Sequence, residues 1–461
     1  MLFSSPVFFL FFAGYFLLHL ALPVRWRPYL IIVGSTLFYA WWKVGFVWIP
    51  YLLMAIAFYG VLWMERAGTS ETRRRRMVLA VIALFLPLAF FKYTNFLYRD
   101  VIGPFFGWTG TLIDLPLPLG VSFVTFTLTA YIVDCWRGRF EGRRKLSTVL
   151  AYVLFFPHLI AGPILRPIEL IPQLEHPRPQ RRVAYTAAIA VFTLGLVKKL
   201  VFADPIGEAV DAAYAAAAPD GPQALLALYG FAVQIYCDFS GYTDMAIGLA
   251  MLLGIRLPRN FARPYMAAGL SDFWRRWHIT LSSWLRDYLY IPLGGSRGGM
   301  MKDMRNIMIT MLLGGLWHGA HWTFVIWGGV HGLGIAAMHL LRRFRRAPLL
   351  PRWLSVLLTF HFVTAAWAFF RAATPAQALH MLVTPFLCGW SGGMAFITGA
   401  AFPLFLLAAF FMCHPFDDHR RIRFLARRLR PEILWPLIAF FWIMAITVSQ
   451  GSSAKFVYFD F

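Results

Sequence analysis

The stretch RNIMITMLLGGLWHGAHWTFVIWGGVHGLGIAAMHL, Arg305 to Leu340, decides how the whole chain is read. It is apolar enough to enter lipid, yet it carries His318, His321 and His331 among tryptophans and glycines. A polar ring in hydrocarbon forfeits water and is tolerated only where it faces protein, a cavity or a partner. An ionisable side chain at membrane depth is therefore a functional-site hypothesis by default. His318 lies between Trp317, a crowded ring, and Gly319, which lets backbone or ligand approach closely. His318 and His321 suggest an internal polar path and are spaced to share a helix face. The competing reading is that each imidazole only bonds a neighbouring carbonyl and glues helices together.

Outward from this stretch the chain stays oily. Of its 461 residues 59% are hydrophobic and 14% charged, whereas a soluble domain is about a quarter charged. Leu2 to Pro23, Val44 to Met64, Met77 to Phe91 and, apart from Glu432, Pro431 to Ser449 are uncharged runs. Crossing a bilayer as a helix takes roughly 20 residues. The expected fold is an all-α, polytopic integral membrane protein with about ten to twelve transmembrane or re-entrant helices. The first run has no preceding cations and is followed by VRWR rather than a small-residue cleavage site, so it reads as an anchor.

The formal charge of +22 would suggest nucleic acid in a soluble protein, but here arginine and lysine gather in short segments between apolar runs. The positive-inside rule explains that pattern, and no nucleic-acid partner is expected. Alternation puts the N-terminus outside and Arg25 and Arg27 inside, then Arg66 and Arg73 to Arg76 inside. The next two spans return to the basic loop Arg137 to Lys145. Thr148 to Leu165, short and interrupted by Pro157 and by Ala161–Gly162–Pro163, reads as a broken or re-entrant helix before the cations Arg178, Arg181 and Arg182. Arg342 to Arg346 and Arg420 to Arg430 read as cytoplasmic. The four cysteines, Cys135, Cys237, Cys388 and Cys413, stand singly, which indicates packing rather than zinc or a disulfide framework.

From Cys237 to Gly299 the chain turns polar. Asp238 and Asp244 sit in an apolar run, where a carboxylate at a helix centre costs roughly 2.5 to 3.5 kcal/mol unless paired or wet, and ion pairs with the arginines that follow are expected. Ser271 is a candidate N-cap for an amphipathic helix with Phe273, Trp274, Trp277 and Leu281 on one broad side and Arg275, Arg276 and Arg286 elsewhere. Such a helix lies in the membrane interface, or its guanidinium groups bind an anionic substrate. His278, on the same segment, forms a candidate pair with His318. The run Gly294 to Gly299 lacks the ending of a phosphate loop and reads as a turn. His318 and His321 are too close for a zinc-protease pair and have no Glu between them, so no metal is expected.

Several strings together resemble the membrane-bound O-acyltransferase family, in its bacterial, alginate O-acetylase-like branch. They are LPLGVSFVTFTLTAYIVDCWRG (Leu117–Gly138), FFPHLIAGPILRP (Phe155–Pro167), GLVKKLVFAD (Gly195–Asp204), DFSGYTDMAIG (Asp238–Gly248) and the terminal FVYFDF. The most specific are FWRRWHITLSSWLRDYLYIPLGG (Phe273–Gly295) and LLGGLWHGAHWTFVIWGGVHG (Leu312–Gly332). The resemblance implies helices around a central tunnel, with the WHG histidine on His318 and the RRWH histidine on His278. It implies one membrane domain over 1–461: N-terminal helices to 145, a catalytic core over 146–340 and C-terminal helices beyond. It also implies transfer of an acetyl group from cytoplasmic acetyl-CoA, a substrate rather than a resident cofactor, toward hydroxyls of an extracytoplasmic polysaccharide. A periplasmic or membrane-anchored acetyltransferase partner and a bacterial inner-membrane location go with it.

The residues are compatible with that chemistry. A neutral imidazole serves as general base, with His318 the candidate. Trp274, Trp277, Trp317 and Trp322 are candidate walls of a water-poor passage that shields a thioester. Arg275, Arg276, Arg286 and Arg297 are placed to attract CoA phosphates or to anchor the interface among membrane lipids. A transporter or flippase without transfer chemistry also needs buried polar residues and broken helices, but no pair of matching interrupted segments occurs in two halves. A scaffold that leaves catalysis to a soluble partner is a third possibility.

Overall fold

Apolar runs become helices where the free N–H groups of the first turn find an acceptor. Ser5 Oγ accepts from Phe8 N at 3.3 Å ahead of the helix Pro6–Ala21. Thr69 Oγ1 accepts from Thr72 N at 3.1 Å ahead of Ser70–Leu88, and Thr374 Oγ1 from Gln377 N at 3.1 Å ahead of Pro375–Leu387. The computed structural model describes residues 1–107, 113–142, 144–177, 179, 183–344, 350–389, 393–450, 454 and 456. Arg143, Arg178, Arg181, Arg182, Arg345, Arg346 and all of the terminal FVYFDF string but Phe456 lie outside the described residues.

Among the described residues every regular element is helical. Seven helices of the described residues are long and apolar enough to cross a membrane: Val44–Glu65, Ser70–Phe106, Tyr185–Ala215, Gly221–Leu252, Trp322–Leu341, Arg352–Arg371 and Pro431–Ser449. Ala401–Phe416 and His419–Arg428, bent by 77°, make an eighth if taken as one span, and Pro6–Ala21 and Val121–Trp136 are apolar but shorter. The chain is thus a polytopic, all-helical membrane protein of whole and partial spans. It forms two units, one of Met1–Ile189 with Ala246–Pro258, the other of Ala190–Met245 with Arg259–Phe461.

In the first unit Pro6–Ala21 and Arg27–Ala40 form a hairpin in which Tyr15 beds on Gly34, whose missing side chain leaves the room. Arg27, expected among the loop cations, is instead buried at the start of its helix. The segment expected to be broken is broken. Its helix Leu146–Leu154 stops at Phe155, resumes as Phe156–Leu159 and gives way to irregular chain. Buried irregular backbone needs partners. Ser35 Oγ accepts from Phe156 N at 3.1 Å, His158 Nε2 donates to Tyr152 O at 2.8 Å, and Tyr152 OH donates to Leu165 O at 2.8 Å.

In the second unit the opening stretch folds into two antiparallel helices, Met300–His318 and Trp322–Phe344. They touch backbone to backbone. A Cβ on Gly315 would overlap the carbonyl oxygen of Phe324, and one on Gly328 that of Met311. Small residues at such crossings let helices gain dispersion contacts in lipid, where no hydrophobic drive favours association. The first helix ends at His318, Gly319 is extended with φ −154°, and the second begins at Trp322. His318 and His321 therefore do not share a helix face, because the chain turns between them.

Gly328 and Gly329 separate close packing from mere adjacency. Gly328→Ala is expected to lower the melting temperature in detergent by an amount equivalent to about 1–3 kcal/mol. Gly329→Ala, whose Cβ would meet only the Leu312 side chain at 3.6 Å, is expected to stay near wild type. Equal effects would remove the helix contact as the reason.

Candidate active site

The segment expected as one amphipathic helix from Ser271 is two short ones. Leu270–Trp274 begins after Gly269, and Ile279–Leu285 begins after His278. The break lies at His278, which takes φ 41° and ψ 56°, a left-handed conformation that a side chain carries at a cost of about 1–3 kcal/mol. Asn260 holds it there. Its Oδ1 accepts from Thr280 N at 3.2 Å, from Thr280 Oγ1 at 2.9 Å and from His278 Nδ1 at 3.1 Å, while Ile279 N donates to Asn260 O at 2.8 Å. A backbone N–H only donates, so the shared Asn260 atom is the oxygen, and the His278 proton sits on Nδ1. Nε2 is then the lone-pair nitrogen of the neutral ring. Burial pushes the His278 imidazole down to about 3, which keeps that form at any working pH.

His318 is buried at its helix end, boxed by rings: Trp317 at 5.0 Å between centroids, Trp327 at 5.2 Å and Phe370 at 5.3 Å. Trp317 also meets His278, at 6.4 Å. The two candidate imidazoles therefore touch the same indole. The mesh continues from Trp327 to His331 at 5.0 Å and, stacked, to Trp367 at 5.5 Å, which meets Trp277 at 5.0 Å. Trp274 Nε1 donates to His331 Nδ1 at 3.3 Å. The indole N–H groups of Trp277, Trp327 and Trp367 are buried without an acceptor. Buried donors of this kind are costly.

Of the sequence candidates, the structure brings Trp274, Trp277 and Trp317 together with His278 and His318. Trp322 is 45% exposed at the start of its helix. Arg275, Arg286 and Arg297 are exposed as well. Arg286 makes a two-pronged contact with Asp287 at 2.7 and 3.2 Å, and Arg276 pairs with Asp272 at 3.0 Å. Among the described residues no cluster of three His, Cys, Asp or Glu side chains is placed to hold a metal ion. Cys135 and Cys237 are buried, whereas Cys388 and Cys413 are exposed.

Asp238 and Asp244 are ion-paired, but to lysines rather than to the arginines that follow. Lys198 Nζ lies 2.8 Å from Asp244 and 2.7 Å from Asp417; Lys199 Nζ lies 2.8 Å from Asp204 and 2.7 Å from Asp238. Tyr236 OH donates to Asp417 at 2.6 Å. These lysines lie on a neighbouring span, closer in space than the arginines nearer in sequence. Sequence reasoning also missed Asn260 and gave His331 no role. The i, i+4 spacing of Trp327 and His331 was the available signal for the second.

Two outcomes test this geometry. His278 is neutral when folded, with a value near 3 against 6.5 unfolded, so the unfolded state binds the extra proton and folding loses stability as pH falls from about 6.5 toward 3. His278→Gln removes that group, and its melting temperature in detergent should fall less steeply over that window. Lys198→Met strands two buried carboxylates and should destabilise by about 3–5 kcal/mol, whereas a loss within experimental error would show that the network is wet.

Residues 29–374 match the model of the MBOAT, membrane-bound O-acyltransferase family. The probable alginate O-acetylase AlgI of Azotobacter vinelandii is 39% identical over 394 residues, covering 84% of this chain and 79% of that protein. The peptidoglycan O-acetyltransferase of Helicobacter pylori is 37% identical over 423 residues, covering 83% and 79%. The teichoic acid D-alanyltransferase of Bacillus subtilis is 28% identical over 266 residues, covering 53% and 66%. A match over most of the chain, joined to a helical membrane body, shows that this protein belongs to the membrane-bound O-acyltransferase family and is a multi-pass O-acyltransferase.

Proposed function

We propose that the chain takes an acetyl group from acetyl-CoA on the cytoplasmic side of the bacterial inner membrane and moves it toward hydroxyls of an extracytoplasmic polysaccharide such as alginate. A tunnel through the helices carries the group, and a periplasmic or membrane-anchored acetyltransferase partner completes delivery. The observation that carries this reading is the pair of buried imidazoles, His278 and His318, both in contact with Trp317. The relatives named for O-acetylation support acetyl as the group moved.

In this scheme a hydroxyl oxygen attacks the thioester carbonyl carbon while His318 takes the hydroxyl proton. The C–S bond then breaks, and the proton passes to the departing thiolate. General-base help of this kind contributes roughly 10² to 10⁴ in rate. His278, held with Nε2 as the lone-pair nitrogen, supplies a second acceptor for the moving proton. The acceptor-less indole N–H groups of Trp277, Trp327 and Trp367 are donors for the charge that develops on the carbonyl oxygen. The ring mesh excludes water that would hydrolyse the thioester. Exposed Arg275, Arg286 and Arg297 offer guanidinium groups to CoA phosphates.

Proteoliposomes supplied with acetyl-CoA test the scheme. His318→Ala should fold and insert but lose at least about 10² in turnover, and undiminished turnover would take His318 out of the mechanism. His278→Ala should lose turnover as well; a change in KM alone would make it a binding residue.

A further inference from the structure

Apart from the histidine site, the first unit holds a polar seam without partners. In the hairpin Pro6–Ala21 and Arg27–Ala40 the helices run antiparallel, and Tyr15 lies 2.5 Å from where a Gly34 Cβ would be. Tyr15 and His19 are one turn apart on one helix; Arg27, Ile31 and Gly34 share a face of the other. The buried residues fall on those faces: Phe8, Tyr15 and His19 opposite Arg27, Ile31, Gly34 and Phe38. His19 and Arg27 thus meet at the closed end of the hairpin, where His19 is 3% and Arg27 8% exposed.

Neither nitrogen of His19, nor Nε of Arg27, nor the hydroxyl of Tyr15 has a hydrogen-bond partner. No carboxylate stands against Arg27 among the described residues. A guanidinium drawn partly out of water without a counter-charge is unfavourable, and an anion from outside the chain would supply that charge. The surroundings indicate which one. Trp26 and Tyr29, on either side of Arg27, are each 50% exposed, with rings 5.6 Å apart. Tryptophan and tyrosine so placed sit at the headgroup level of a bilayer, where the abundant anion is the phosphodiester of a phospholipid.

We propose that the closed end of this hairpin is a phospholipid-binding site, in which Arg27 and His19 grip the headgroup phosphate while Trp26 and Tyr29 rest in the interface. Guanidinium matches phosphate with two parallel N–H donors, and one imidazole nitrogen supplies a third. The site uses none of the residues of the transfer scheme and stands whether or not that scheme holds.

The test is lipid retention and thermal protection of detergent-purified protein. Wild type should keep phospholipid phosphorus through purification, and added dioleoylphosphatidylglycerol should raise its melting temperature, as a ligand that binds only the folded state must. Arg27→Gln and His19→Gln should each need about tenfold more lipid for the same rise, with Arg27→Lys in between. Arg27→Lys and His19→Gln carry the comparison if Arg27→Gln does not fold. Identical protection of all four proteins would overturn the proposal. So would protection of wild type by inorganic phosphate or free CoA as strong as that by the lipid, since the anion would then come from solution.

Discussion

The close crossing of Met300–His318 on Trp322–Phe344 is the constraint on which the candidate site rests. Two backbones meet where Gly315 and Gly328 carry no side chain, and that contact fixes the turn in which His318 stands. It also brings His318 against Trp327, and through Trp327 to His331 and Trp367. In lipid, packing rather than water exclusion must hold helices together. A histidine at a helix end, with an extended glycine after it, is therefore located by the fit of two backbones.

His278 is placed by a different device. Its backbone is strained, and the strain is held by Asn260, which gathers three donors on one oxygen and a fourth on its carbonyl. Strained residues of this kind persist only where the surroundings over-determine them. The same bonds fix the tautomer, so geometry and proton position are set together. One imidazole is held by helix packing and the other by a polar clasp, and both contact Trp317.

Much of this was legible in the sequence, and the reasons differ by residue. The spans follow from apolar runs whose length matches a bilayer, and the break after Leu154 from Phe155–Pro157 and the glycine–proline pair beyond. The strings around His278 and His318 resembled a family that the comparisons then showed. The split of the expected Ser271 helix was not legible, because it depends on Asn260, whose chain contact is tertiary. The partners of Asp238 and Asp244 were misread for a similar reason: pairing follows the register of neighbouring spans, and Lys198 and Lys199 enter from one of them. Arg27 looked like one more loop cation, since topology rules count charges without asking which face of the next helix they occupy.

The bond from Lys198 to Asp417 has a consequence for biogenesis. The two ends leave the ribosome far apart, and the lysine reaches the bilayer long before its second carboxylate exists. Until the C-terminal segment arrives, the early span carries its charge with Asp244 alone. The nascent chain must therefore keep that span in a hydrated or guarded setting, and the C-terminal segment, by delivering Asp417, becomes the latch that closes assembly.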